Sequence, residues 1–319
     1  MAVGTGNGLV ETALQLIAAH WLLIITGFLV SRALVRRYAS PLRKYPGPVL
    51  ASVSRLWKVA STFSGHTHTD HIALHRKYGR LVRIAPDEVS IASPEAARTV
   101  LSAGKRFYKT DFYAVFPPPE NPDIFTEVRE DVHAQKKKVA NVPYSMAAMQ
   151  QLSPFIDDTI ELLATKLDGL AAGGRGLHPA EINLGNWLHW FAFDVLGEVA
   201  FSRKFGFLDE GRDVDDAIAV IDNSQRYNAT VGQVPFLDRF LRRNPLWKFV
   251  PALNTKNALI TRMALEEMAK RRPFDKESEG KWRNGDGRQD LLASLIKGHL
   301  KTPETFGEGD VFAVAHGAM

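Results

Sequence analysis

The sequence has no cysteine in 319 residues. Within these residues that excludes a disulfide framework, a cysteine-based zinc site, an iron–sulfur cluster, a thiol nucleophile and a thiolate ligand to iron. Charge of one sign is also scarce. Forty Lys+Arg against 35 Asp+Glu leave a net +5, and the charges are scattered rather than blocked. This balance neither implies nor excludes nucleic acid, but no nucleic-acid motif is found and none is expected as a partner. With 45% hydrophobic and 24% charged residues, the chain is neither disordered nor collagen-like and can bury a substantial core.

One stretch lacks charge altogether. Residues 12–31 (TALQLIAAHWLLIITGFLVS) carry no Asp, Glu, Lys or Arg. Twenty helical residues rise about 30 Å, the thickness of a bilayer's hydrocarbon core. Arg32, Arg36, Arg37, Arg43 and Lys44 follow the span and no basic residue precedes it. The bias predicts a lumenal N-terminus over 1–11, a membrane anchor over 12–31 and a basic, proline-rich connector over 32–48, with the rest cytosolic. A signal peptide is the alternative, although it would normally begin with basic residues; a buried helix is the other. Tyr45-Pro46-Gly47-Pro48 reads as a rigid break between anchor and domain.

Beyond it, Val53, Leu56, Trp57, Ala60 and Phe63 recur at helical spacing, and 71–78 forms a short helix ended by Gly79. Leu81 to Ala85 alternates, Pro86-Asp87 turns and Val89 resumes, predicting a small hairpin. Ser93-Pro94 caps and opens the next helix. Residues 107–122 are aromatic and proline-rich, with Pro117-Pro118-Pro119, and read as a long ordered loop. From Phe125 onward the pattern is helical. Ser153 caps a helix carrying Phe155, Ile156, Ile160 and Leu163, which Gly173 to Gly176 end. A helix central to the core follows over 184–199, then helices near 214–226, 254–270 and 290–299. Residues 275–289 read as a mobile surface loop, and no second-domain boundary is visible over 49–319. Residues 309–319 open an apolar helix of the kind that crosses a core, and the sequence stops inside it.

His66, His68, Asp70 and His71 spell HxHxDH, the pattern of metallo-β-lactamase-like hydrolases, where imidazoles and a carboxylate hold two zinc ions. That motif normally follows a buried strand. Here a helical pattern precedes it and helices follow, so a polar turn entering an amphipathic helix is the competing reading.

The order of elements is similar to that of the N-terminal half of membrane-bound cytochromes P450, especially the fungal, pisatin-demethylase-like group. The residues carrying the resemblance are the anchor, YPGP at 45–48, HRKYGRLVRIAPDEVSIASPEAARTVL at 75–101, His133-Ala-Gln-Lys-Lys-Lys138, DVLGEVAF at 194–201 with Phe205-Gly206, and RQDLL at 288–292. It implies a mainly α fold with a small β-sheet, an incomplete P450 domain preceded by a transmembrane helix. It also implies haem b as cofactor, with His133 and Lys137 near the propionates. Both lie on one helical face, although relatives more often have Arg at the later position. Read alone, Lys136 to Lys138 is a solvated basic face.

The resemblance further implies monooxygenation of a small lipophilic compound, in fungal secondary metabolism or detoxification. Electrons would come from NADPH-cytochrome P450 reductase, with cytochrome b5 a further partner, at the endoplasmic reticulum membrane. Phe112, Tyr113, Phe116 and Phe236 are substrate-pocket candidates, ordinary packing being the alternative for each. The family's oxygen-activation segment, ExxR helix and cysteine loop are absent from these residues. The expectation for the 319 residues alone is therefore no catalysis. A shortened gene model, a decayed gene or one piece of a split frame would each produce it. A membrane-tethered, non-catalytic helical binding protein is the alternative of another class.

Overall fold

The computed structural model describes residues 6–102, 104, 107–116, 122–173, 181–242, 259–274 and 288–317. The expectations for Pro117 to Pro119, for Gly174 to Gly176 and for 254–258, and nearly all of the loop over 275–289, lie outside the described residues. The chain divides into two compact units, Met1–Phe107 and Tyr108–Met319. No glycine- or proline-rich linker marks that boundary in the sequence.

In the first unit, α1 spans Gly6–Leu34 and passes without a break into a π-helical turn, Val35–Ala39. The stretch Ala19–Ala39 is long and apolar enough to cross a membrane, and none of it is buried in the protein. The helix thus runs beyond Ser31 into the segment expected as connector, because Arg32, Arg36 and Arg37 are good helix formers that do not interrupt it. Three short helices follow: α2 (Val49–Val53), α3 (Leu56–Phe63) and α4 (Thr67–Tyr78). Strands β1 (Leu81–Ala85) and β2 (Glu88–Ile91) pair antiparallel, Leu81 opposite Ile91 and Arg83 opposite Val89. Helix α5 (Pro94–Leu101) starts as expected, Ser93 Oγ accepting from the Ala96 N–H at 3.3 Å.

YPGP is more than a break. The Arg83 N–H donates to the Pro46 carbonyl at 2.7 Å, so the segment lies along β1. A Cβ on Gly47 would overlap the Arg83 carbonyl oxygen, so only glycine permits that approach.

The second unit is helical: α6 (Glu130–Ala140), α7 (Met146–Gly173), α8 (Leu184–Phe201), α9 (Phe207–Glu210), α10 (Ala217–Val231), α11 (Asp238–Leu241), α12 (Leu259–Lys270), α13 (Leu291–Lys301) and α14 (Glu308–Gly317). Its core gathers Phe193, Phe201, Phe207, Leu292, Leu295, Ile296 and Val311 among other apolar side chains. Among the described residues the chain is therefore mainly α with one small sheet.

Two helix expectations need correction. Ser153 is not an N-cap: α7 begins at Met146, and Pro154 sits inside it. Proline there forfeits one backbone hydrogen bond, a loss this long helix tolerates. In α8 the C-terminal half is buried at Phe193, Asp194, Gly197, Ala200 and Phe201, whereas Leu184 and Leu188 are about half exposed.

The DVLGEVAF run is explained by packing. The buried Asp194 carboxylate accepts from the Gly206, Phe207 and Leu208 N–H groups at 2.8, 3.3 and 2.9 Å, closing the turn into α9. At Gly197 a Cβ would overlap the Arg203 carbonyl oxygen and press on the Phe205 ring. Glu198 pairs with Arg288 at 2.7 Å, whose guanidinium lies 3.8 Å from the Phe155 ring centroid. Ser202 follows α8 in an unusual backbone conformation. Its φ of +56° is left-handed, and its hydroxyl donates to Asp290 at 2.8 Å.

Candidate functional site

Helix α6 carries Glu130 and Asp131 in its first turn and Lys137 and Lys138 in its last, each charge opposing the nearer end of the helix dipole. His133 and Lys137 are one turn apart. His133 Nδ1 is buried, with no hydrogen-bond partner among the described residues. The nearest carboxylate oxygen, Glu130 Oε1, lies at 3.7 Å, beyond hydrogen-bond reach. Lys137 is exposed.

Lys136 behaves differently from its neighbours. It is 4% exposed, and its ammonium pairs with Asp310 on α14 at 2.8 Å and donates to the Pro122 carbonyl at 2.6 Å. Glu127 Oε2 lies 3.7 Å away. Glu127 takes two further bonds from the Arg129 guanidinium, both at 2.9 Å. Those bonds hold its pKa down at about 2, helped by the Arg129 N–H and by the charges of Arg129 and Lys136, against burial, which raises it. The solvated basic face therefore applies to Lys137 and Lys138 but not to Lys136.

Before α6 runs the aromatic segment. A 3-10 turn, Asp111–Val115, interrupts what was expected as plain loop. Phe112, Tyr113 and Phe116 meet there. The Phe112 centroid is 5.4 Å from both the Tyr113 and Phe116 centroids, and Phe125 closes the group at 5.2 Å from Tyr113 and 5.4 Å from Phe116. These are edge and tilted geometries that ring quadrupoles favour. Lys109 Nζ donates to the Ile124 and Phe125 carbonyls, both at 2.9 Å, tying the two ends of the segment. Burial lowers the Lys109 pKa and nearby Lys137 adds to that, while Asp123, Glu130 and Glu127 oppose it. Phe236 lies on a second 3-10 turn, Pro235–Leu237, which packs against Asp111–Val115. Its side chain is 62% exposed.

The structure thus groups Phe112, Tyr113 and Phe116, brings the element bearing Phe236 beside them, and places His133 and Lys137 on the neighbouring helix. Lys109, Phe125, Glu127, Arg129, Lys136 and Asp310 were missed. Only the Glu127-x-Arg129 spacing offered a signal, since a charged pair two residues apart in a turn can close on itself. A cavity of about 190 Å³ between α12 and α14, lined by Leu265, Met268, Arg272, Glu308 and Phe312, is formed by other residues.

The metal-hydrolase reading is overturned. His66 is the residue before α4, while His68, Asp70 and His71 lie on α4 itself, with helix α3 and not a strand ahead of them. Asp70 accepts the Ser61 hydroxyl at 2.5 Å. Among the described residues no group of His, Cys, Asp and Glu could hold a metal ion. His71 is pushed down in pKa by burial and by Lys58 and His75, as befits a half-buried helix imidazole.

Haem would present propionate carboxylates and an iron to these residues. A buried, unpartnered imidazole nitrogen with a lysine one turn later fits a propionate carboxylate. The iron finds no thiolate among these residues, which contain no cysteine.

Comparison with known proteins gives a concordant picture. The family model for Cytochrome P450 matches residues 45–315. The cytochrome P450 monooxygenase mpaDE' of Penicillium brevicompactum is 34% identical over 228 residues, 69% of this chain and 26% of that protein. A cytochrome P450 monooxygenase of Aspergillus terreus is 33% identical over 226 residues, 70% of this chain and 45% of that protein. The cytochrome P450 monooxygenase mfmA of Annulohypoxylon moriforme is 31% identical over 272 residues, 82% of this chain and 52% of that protein. The chain spans about half, or less, of the length of the relatives it matches.

Proposed function

Because this chain belongs to the cytochrome P450 family, we propose that it carries the membrane anchor, the ligand-facing loop and one haem-edge contact of a monooxygenase acting on a small lipophilic compound in fungal secondary metabolism or detoxification. The observation that carries this is the unpartnered, buried Nδ1 of His133 one turn from Lys137, on the helix that follows the aromatic segment. Haem b, when bound, supplies the activation of O₂ and the insertion of one oxygen atom as hydroxylation, demethylation or epoxidation. With haem bound, His133 would donate one hydrogen bond to a propionate, and Lys137 would place a positive charge beside it. Lys137 is a point charge where arginine would give a planar fork, so its bond is less directional. Phe112, Tyr113, Phe116 and Phe236 offer apolar surface to a lipophilic ligand and exclude water from it.

NADPH-cytochrome P450 reductase is the electron donor in this reading, with cytochrome b5 as an accessory. The anchor holds the protein in the endoplasmic reticulum membrane with its N-terminus lumenal and the domain cytosolic. Lacking a cysteine, these 319 residues alone do not turn over substrate. Haemin titration of the purified chain in detergent tests the edge assignment. His133→Ala and Lys137→Ala are each expected to weaken binding about tenfold, the weight of one charge-assisted hydrogen bond. Unchanged affinity in both variants would remove His133 and Lys137 from the site.

A further inference from the structure

Helices α12 and α14 meet along a seam that is pinned at both ends. At one end Thr261 Oγ1 and His316 Nε2 lie 3.0 Å apart. At the other, just past α12, the Arg272 guanidinium donates to Glu308 at 2.7 Å, and both of these side chains are about half exposed. Among the described residues no hydrogen bond or ion pair crosses the seam between those two points. The seam cannot close without breaking a pin, and α14 is held from α6 as well, by Asp310 on Lys136.

Between the pins lies the cavity of about 190 Å³. Small residues leave it open, since Ala269 and Gly309 line it with almost no side chain. Met268, 5% exposed, forms its inner wall, and Leu265, 51% exposed, forms its rim. Phe312 lines it too and is itself seated against the main core.

The lining specifies a chemical class. A thioether, a phenyl ring and a guanidinium each gain more from an aromatic ring than from an aliphatic group of equal size. Arg272 already shows that preference, its guanidinium lying 5.8 Å from the Phe274 ring centroid. An apolar cavity of about 150 Å³ takes up benzene, so the larger space here holds one ring with a short substituent or a fused pair. Net charge on the ligand brings no advantage. An anion would draw Arg272 from Glu308, and a cation Glu308 from Arg272, so one exposed ion pair would merely replace another.

We propose that the cavity between α12 and α14 is a binding site for a neutral, planar aromatic compound, formed by residues other than those of the aromatic segment. Met268 and Phe312 supply its inner contacts, and Arg272 supplies the outer one.

The test uses the full chain in detergent with indole and a fluoroindole as probes, empty detergent being the blank. Indole is expected to slow hydrogen exchange about threefold in Leu259–Lys270 and Glu308–Gly317 and to leave Pro94–Leu101 unchanged. Ala269→Trp fills the cavity from an exposed helix position. It should abolish that slowing and weaken fluoroindole binding, read from the fluorine resonance, by about tenfold or more. Arg272→Gln should weaken it about threefold. If Ala269→Trp by itself speeds exchange in Leu291–Lys301, Ala269→Met replaces it, a flexible side chain that fills the same space. Absence of any indole effect on the two helices overturns the proposal, as does slowing that survives the filled variant. Indoleacetate or tryptamine binding more tightly than indole, or cyclohexanol binding as tightly, overturns the assigned chemistry.

Discussion

Arg83, in the first unit, and Arg271, in the second, are both buried, at 0% and 3% exposure, yet they are satisfied by opposite means. Arg271 faces a carboxylate. Its Nη1 and Nη2 meet Asp290 Oδ1 and Oδ2 at 2.7 and 2.8 Å, and Nη2 also donates to the Phe201 carbonyl at 3.2 Å. Arg83 faces carbonyls. Its Nη2 donates to Arg36 and Pro86 at 2.9 and 2.6 Å, with longer contacts to the Arg37 and Ala85 carbonyls at 3.5 and 3.4 Å. No carboxylate pairs with it among the described residues, and burial together with Arg37 lowers its pKa.

The contrast follows from what each must hold. The Arg36 and Arg37 carbonyls end the anchor helix, where unpaired carbonyl groups concentrate partial negative charge. A cation satisfies that helix end and joins it to β1. Asp290 already has other work: it caps α13 through the Ala293 N–H at 2.8 Å and accepts from Ser202. Arg271 neutralises a charge that the cap had buried.

The largest effect should come from the ionic member of the comparison. Arg271→Met leaves Asp290 charged and buried, and should cost about 3–5 kcal/mol in a urea melt. Adding Asp290→Asn retains a capping side chain and removes the stranded charge, so the double variant should recover part of that loss. Equal losses in the single and double variants would show that a stranded Asp290 charge is not the source of the cost. Next comes Arg83→Met, which strands dipoles rather than a charge, at about 1–3 kcal/mol. Its faster hydrogen exchange should stay within Val35–Ala39 and Leu81–Ile91. If Leu291–Lys301 exchanges faster as well, the loss of Arg83 is not a local effect.

The smallest effect concerns pH. Glu127 is ionised in the folded chain down to about pH 2, whereas an unfolded glutamate protonates near 4.5. Its contribution is therefore fully present above pH 4.5 and disappears as pH falls from there toward 2. Arg129→Ala should flatten that part of the acid-stability curve by lowering stability above pH 4.5, the parent and variant curves converging toward pH 2. An unaltered acid limb would show that Arg129 does not set the Glu127 pKa.

Much of the local structure could be read beforehand because it depends on neighbours in sequence. The alternation at 81–85 became β1, and Ser93 caps α5. The candidate site was only partly readable. Phe112, Tyr113 and Phe116 cluster because they share one short turn, but Phe125 joins them only because Lys109 ties the segment's ends together. Three consecutive lysines look equivalent on paper. Lys136 is buried because Asp310, 174 positions further along (310 − 136), arrives beside it on α14, while Lys137 stays exposed.

Composition and periodicity by themselves determined the mainly helical class, the apolar N-terminal helix, the hairpin and the absence of a thiolate among these residues. Each is a statement about a residue type or a local repeat. Tertiary structure alone decided that YPGP lies along β1, that α7 runs through Pro154, and that Arg83 and Arg271 spend their charge on groups far away in sequence. Those outcomes depend on which buried acceptor lacks a donor once the helices have packed, and no local pattern encodes that.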